Sequence, residues 1–238
     1  MSTLYLVRHA QASFLSDDYD RLSPLGHEQS KRLGAYCAGR NLRFDRAIVG
    51  PRRRHRETAE RVAESYQAAG LEFPSLELMP GLDEFQADAM VTHSVGTLSN
   101  RYAHLRHLHE AFKAAEDSHT RHRGFQKFME ALTLLWAREE FDAPGLDPWP
   151  KFCSRVGAAL DELCAGAASG SRIIVFTSGG PAAVAVQKAL ALSPEKTLEL
   201  IWMLRNTALV EFLFSGPRFT LSAFNALPHL EPDLWTYR

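Results

Sequence analysis

The sequence predicts an α/β fold: a three-layer α/β/α sandwich with a mainly parallel sheet, an antiparallel edge strand and a helical insertion. Three observations predict it. Short runs rich in β-formers, Thr3 to Val7, Phe44 to Val49 and Arg172 to Thr177, are each followed by a polar turn and a segment of helical length. Two late runs, Ala208 to Phe214 and Phe219 to Phe224, are joined by Gly216-Pro217, which reads as a hairpin and hence an antiparallel edge. Between about 86 and 148 the composition shifts to a helical stretch rich in histidine and arginine. The 238 residues, 45% hydrophobic, suffice for one sizeable core, so 1–238 is expected to be a single domain with a helical cap at about 86–148.

The elements follow in order. Thr3 to Val7 stops abruptly at Arg8-His9-Ala10-Gln11, placing a fixed cation and an imidazole at the carboxyl edge of the sheet, where α/β proteins put their ligands. After the polar stretch Gln11 to Leu22, Ser23 is an N-cap and Pro24 opens a helix. It runs to about Ala38 with Leu33, Tyr36 and Cys37 inward, and Gly39 ends it. The second strand ends at Gly50-Pro51, and Arg52-Arg53-Arg54-His55-Arg56 then packs four arginines into the next turn and first coil of helix. Arginines oppose the positive end of a helix dipole unless an anion is shared; otherwise they form a solvated basic surface. Leu76 to Met79 is a third short strand, and Pro80 to Phe85 is a turn carrying Asp83 and Glu84, an acidic pair that by itself reads as solvated.

In the insertion, Tyr102 to His109 and Gly124 to Glu140 read as helices. Its histidines, at 93, 104, 107, 109, 119 and 122, have no metal-ligand spacing and are expected to be largely solvated. A cap over one end of the sheet would shape substrate choice. A helix from Trp149 to about Ala167 leads to the strand at Arg172 to Thr177, which ends in Ser178-Gly179-Gly180-Pro181 before a helix to about Leu192. The glycines either free the backbone to approach an anionic ligand at the helix start or only make a tight turn. A helix near Glu195 to Leu204 precedes the hairpin, and Asn225 to Arg238 is loop-like.

The totals narrow the function. A net charge of -1 argues against nucleic-acid and anionic-membrane partners, so any anion site is local. The three cysteines, Cys37, Cys153 and Cys164, are odd in number and lack Cys-x-x-Cys spacing, which points to a reducing, cytoplasmic compartment and away from a zinc site. No secretory signal and no membrane span is expected, since no run reaches about 18 apolar residues.

Three strand-end motifs point to one chemistry: Arg8-His9, the arginines at 52–56, and Ser178-Gly179-Gly180. Guanidinium donors hold a doubly anionic phosphoryl group, a neutral imidazole attacks phosphorus, and a carboxylic acid such as Glu84 protonates the leaving alkoxide. No metal or other cofactor is required. The chain resembles the histidine phosphatase superfamily, in its phosphoglycerate-mutase-like branch. Leu6-Val7-Arg8-His9-Ala10 stands where that family has Arg-His-Gly with the nucleophilic histidine; Leu22 to Gly26, Gln29 and Leu33-Gly34 resemble its Leu-Thr-x-x-Gly, Gln and Leu-Gly pattern. Gly50 to Arg54 with Thr58-Ala59 resembles the Ser-x-x-x-Arg-Ala-x-x-Thr-Ala segment, Leu82-Asp83-Glu84 the segment with the proton donor, and Asn206 precedes a late strand as in the family. The resemblance covers both ends of the chain and fails over the insertion. It implies His9 and Glu84 as catalytic residues and Arg8, Arg54, Ser178 and Gly179 as phosphate-binding ones.

The chain departs from the pattern at several positions. Ala10 replaces glycine, Gly50 replaces serine, His55 replaces alanine, and Thr177-Ser178-Gly179-Gly180 stands where the family has Ser-His-Gly-Gly, so the second family histidine is absent at its matching position. Arg52, Arg53 and Arg56, or a histidine of the insertion, are expected to make good that loss. The leading expectation is a metal-independent phosphatase, a phosphoric monoester hydrolase acting on a small phosphomonoester through a phosphohistidine at His9. Its partners are a small-molecule phosphoester or inorganic phosphate, and a homodimer is compatible with it. Two alternatives stay open: a catalytically impaired phosphoester-binding or regulatory module, and a phosphoglycerate-mutase-type phosphotransferase. A serine-esterase elbow at Ser178 is disfavoured, since Phe176 breaks Gly-x-Ser-x-Gly.

Overall fold

The computed structural model describes residues 1–13, 20–141 and 143–237, and only the backbone of 95–101, 118 and 119. Its sheet is built outward from β1 (Ser2–Arg8), which pairs in parallel with β4 (Arg172–Thr177) on one side and antiparallel with β5 (Leu209–Ser215) on the other. Beyond β4 lie β2 (Arg46–Val49) and β3 (Leu76–Leu78), both parallel, and beyond β5 the antiparallel β6 (Arg218–Ala226) forms the edge. The fold is thus the expected α/β one, mainly parallel with antiparallel strands at one side.

Parallel register decides where the chemistry gathers. Arg8 is opposite Thr177 and Val49 opposite Phe176, so the residues after β1, β2 and β4 leave the sheet at one edge. Backbone bonds carry that register past the strand ends: His9 N–H donates to Thr177 O at 2.8 Å and Gly50 N–H to Phe176 O at 2.9 Å.

Period-two alternation makes the layers. Val7, Ala47, Val49, Ile174 and Phe176 face α1 (Pro24–Gly39) and α2 (Arg53–Ala68), meeting Leu33, Cys37, Val62 and Tyr66. Leu4, Leu6, Ile48, Ile173 and Val175 face the opposite way, into a core with α6 (Trp149–Ala165), α7 (Gly179–Leu190) and α8 (Pro194–Met203). The expected cap is caught up in this second core. The expected start of α1 is present: Ser23 Oγ accepts from Gly26 N at 3.0 Å, with Pro24 in the first turn. Gly34 lets α1 approach α2, since a Cβ there would lie 2.6 Å from Ser65 Cβ.

The insertion differs from expectation in helix number. It holds three helices, α3 (Ala87–Arg101), α4 (Ala103–Ala114) and α5 (Ser118–Ala137), where two were expected. α3 was hidden by its own composition, as Val91, Thr92, Val95, Gly96 and Thr97 are poor helix formers. The start of α5 lies six residues before Gly124 because Asp117 caps it, accepting from Thr120 N at 2.8 Å. His104 and His107 are exposed as expected, whereas His93, His109 and His122 are half-buried, His109 lying 5.3 Å from the Phe128 ring; the side chain of His119 is outside the described residues. The carboxyl end is also more ordered than a loop. β6 extends to Ala226, Pro232–Leu234 forms a helical turn, and Asn206 N–H donates to Thr236 O at 2.8 Å.

Candidate active site

Each side chain at this edge is set by the element that delivers it. His9 follows β1 directly and is buried; Asn206 Nδ2 donates to its carbonyl at 2.9 Å and Thr58 Oγ1 accepts from Ala10 N at 3.0 Å, fixing the backbone on both sides. His9 Nδ1 lies 2.8 Å from the Ala10 carbonyl, which can only accept, so the ring proton sits on Nδ1 and Nε2 keeps its lone pair. Burial, with Arg54, Arg8 and His55 nearby, holds the His9 pKa well below its ordinary value of 6.5.

The arginine cluster divides sharply. Arg54, on the first turn of α2, is buried, its Nη1 2.6 Å from Asp20 Oδ1 and its Nη2 3.4 Å from Ser178 Oγ. Arg52 is paired with Asp83 at 2.5 and 3.2 Å, Arg53 reaches Glu57 at 2.6 Å, and Arg56 is exposed. Arg52 and Arg53 are thus engaged by carboxylates of this chain. Asp20, which sequence reasoning passed over, also accepts from Arg53 N at 2.8 Å and so closes the open start of α2.

Arg8 is turned more toward backbone than expected. Its Nη1 donates to Leu204 O and its Nη2 to Tyr237 O at 2.7 Å, while Nε lies beside Gly179, 3.8 Å from where a Cβ would stand. The Asp83-Glu84 turn is not a solvated one. Asp83 is held by Arg52, and Glu84 reaches across to the start of α7, where Gly180 N–H donates to Oε2 at 3.1 Å. Burial raises the Glu84 pKa above 4.5, against the opposing pull of the Gly180 N–H and Arg54. A Cβ at Gly180 would sit 2.0 Å from Glu84 Oε1, so that glycine makes room for the carboxyl group of this chain itself.

A second residue that sequence reasoning missed is His55. It is fully buried, its Nε2 is 2.6 Å from Ser178 Oγ, and its ring centroid is 5.8 Å from that of His9. The signal was present in three departures from the family pattern, at 50, 55 and 178, that were read singly. Among the described residues no group of His, Cys, Asp and Glu side chains is placed to hold a metal ion, and no helix is long and apolar enough to cross a membrane.

At this edge a buried imidazole of lowered pKa lies near the Arg8 and Arg54 guanidinium groups, with a carboxyl group of raised pKa across from it. The chain belongs to the histidine phosphatase superfamily (branch 1), whose family model matches residues 4–122 and 102–227. Membership supports phosphatase-type activity as the general class. The fold is shared with a mutant phosphoserine phosphatase from Entamoeba histolytica solved with phosphoserine, at 18% identity, TM-score 0.62, covering 97% of this chain and 100% of that one. It is likewise shared with phosphoglycerate mutase from Bacillus anthracis str. Sterne, at 16% identity, TM-score 0.64 and coverage of 96% and 94%. A mycobacterial glucosyl-3-phosphoglycerate phosphatase in complex with inorganic phosphate is similar at 18% identity, TM-score 0.60 and coverage of 96% and 99%. No curated protein sequence matches the chain.

Proposed function

We propose that this protein is a metal-independent phosphatase that hydrolyses a small phosphomonoester through a phosphohistidine at His9. The observation that carries the proposal is the tautomer of His9: with Nδ1–H on the Ala10 carbonyl and a lowered pKa, Nε2 is an unprotonated nucleophile at neutral pH. Nε2 attacks phosphorus, the P–O ester bond breaks, and the leaving alkoxide takes the proton of the Glu84 carboxyl group. Water then attacks the phosphohistidine, Glu84 carboxylate takes a proton from that water, and phosphate leaves with His9 neutral again. Arg54 and Arg8 offset the charge that spreads over the phosphoryl oxygens, Arg54 by exchanging Asp20 for the phosphoryl group and Arg8 by its field, while the Ser178 hydroxyl and the Gly179 amide add donors. The guanidinium groups supply the positive charge that a metal ion would otherwise bring. In this proposal 1–238 is one domain acting in the cytoplasm, with α3 to α5 as its cap.

The test is a panel of phosphomonoesters assayed with and without EDTA on the wild type, His9→Ala and Ser178→His. Turnover insensitive to EDTA and abolished in His9→Ala is expected. Phosphate binding without turnover on any ester would favour the impaired binding module, and phosphate moved within one substrate would favour a mutase.

A further inference from the structure

We propose that His55 replaces, from another element, the imidazole that position 178 lacks: acting through Ser178, it fixes the Ser178 hydroxyl as a hydrogen-bond donor to the phosphoryl group on its way to His9. The inference deepens the phosphohistidine reading and rests on it.

The first support is steric. A Cβ at Gly50 would stand 2.5 Å from His55 Nδ1 and 3.0 Å from Cε1, so the serine of the family pattern and this imidazole exclude each other. On the other side of the ring, Nε2 is already 2.6 Å from Ser178 Oγ, which leaves no room for an imidazole at 178 while His55 keeps its place. The replacements at 50, 55 and 178 are therefore one change in space. Two positions shrink and the side chain between them grows, keeping a buried imidazole beside His9 at a ring separation of 5.8 Å.

The second support is the arithmetic of one hydroxyl. Ser178 Oγ has one proton and two lone pairs. Arg54 Nη2, 3.4 Å away, can only donate to it. His55 Nδ1 is buried beside the Gly50 backbone without a hydrogen bond of good geometry, whereas Nε2 meets Ser178 Oγ at 2.6 Å, and the proposal places the ring proton on Nε2. Nε2–H then donates to the second lone pair. With both lone pairs filled, the Ser178 proton points to a third acceptor, and a phosphoryl oxygen beside His9 is the acceptor the reaction supplies. A hydroxyl that freely rotated would have no such preference. His55 is thus a positioning residue, and Ser178 is the group that touches the phosphoryl oxygen.

The experiment measures kcat and KM for p-nitrophenyl phosphate on full-length variants, with thermal melts to confirm folding. Ser178→Ala and His55→Leu are each expected to lower kcat by about 10²- to 10³-fold, the cost of losing one donor at a developing oxyanion. The double variant is expected to be no worse than either single, since the two act as a unit. Glutamine can place its amide nitrogen where Nε2 stands and asparagine cannot, so His55→Gln is expected to retain most of kcat and His55→Asn to lose it. That comparison holds even where His55→Leu fails to fold. Relocating the imidazole in His55→Ala/Ser178→His is expected to recover activity relative to Ser178→His alone, in which two rings compete for one space. Wild-type kcat in His55→Leu or His55→Asn, or multiplicative losses in the double variant, would overturn the proposal while leaving His9 as nucleophile. Full activity in His9→Ala would instead remove the phosphohistidine reading itself.

Discussion

The pH behaviour of two side chains should dominate activity. In the proposed mechanism His9 must be neutral, and its pKa lies below 6.5, so kcat/KM falls as the solution is acidified through that lowered value. The same mechanism needs Glu84 protonated, and its pKa lies above 4.5, so kcat/KM falls again as pH rises through that raised value. A bell whose acid limb belongs to His9 and whose alkaline limb belongs to Glu84 is the expected profile. Glu84→Gln should flatten the alkaline limb and lower kcat by about 10²- to 10⁴-fold on an alkyl phosphate, with a smaller loss on a nitrophenyl ester, whose leaving group needs little protonation. An unchanged alkaline limb would take Glu84 out of the acid role. His9, Glu84 and Arg54 were legible because each sits in a recognisable stretch at a strand end or helix start. Asp20 and His55 were not, because their partners, Arg54 and Ser178, lie 34 and 123 residues away.

Among the elements, the β4–α7 turn is the most sensitive joint. Gly180 has Glu84 Oε1 where its Cβ would stand and Phe152 Cζ 3.1 Å from the same point, so neither side can yield freely. Gly180→Ala should displace the carboxyl group and lower kcat by at least about tenfold, with a smaller effect on KM. The start of α1 offers a control remote from the chemistry in kind. Ser23→Ala removes the cap on Gly26 N, which should cost about 1 kcal/mol in denaturant unfolding. Strands β1, β2 and β4 and helices α1, α2, α6 and α7 could be read from apolar runs and end signals. The insertion could not be read as well: α3 is made of weak helix formers and owes its form to packing, as Met90 shows by being fully buried in the main core.

For the whole molecule, the insertion and the sheet share one core rather than meeting at a joint. Trp136 of α5 is buried with its ring 5.0 Å from Trp149 and 5.1 Å from Phe85, the residue after Glu84. Cutting out the cap would therefore unfold the site. Acid should weaken the entire fold. Burial lowers the His229 pKa from 6.5 to about 4, with Nε2 2.9 Å from Thr207 Oγ1. Its folded value lies below its unfolded one, so its contribution is complete above about pH 6.5 and is lost as pH falls toward 4, by at most about 3 kcal/mol. His9 and His55 act with the same sign. Denaturant unfolding from pH 7 to pH 4 should show this fall, and His229→Gln should lessen its slope. The layered architecture was legible because the apolar runs at β1, β2 and β4 are each followed by a segment of helical length; the packing of the insertion was not, since its apolar residues meet partners far away in sequence. The most direct measurement is rapid acid-free quenching of the enzyme during turnover of a phosphomonoester, followed by mass spectrometry of the peptide holding residue 9. Phosphate on His9 that forms and decays at the rate of turnover, and is missing in His9→Ala, is the predicted result. Sustained turnover with an unmodified His9 would contradict it.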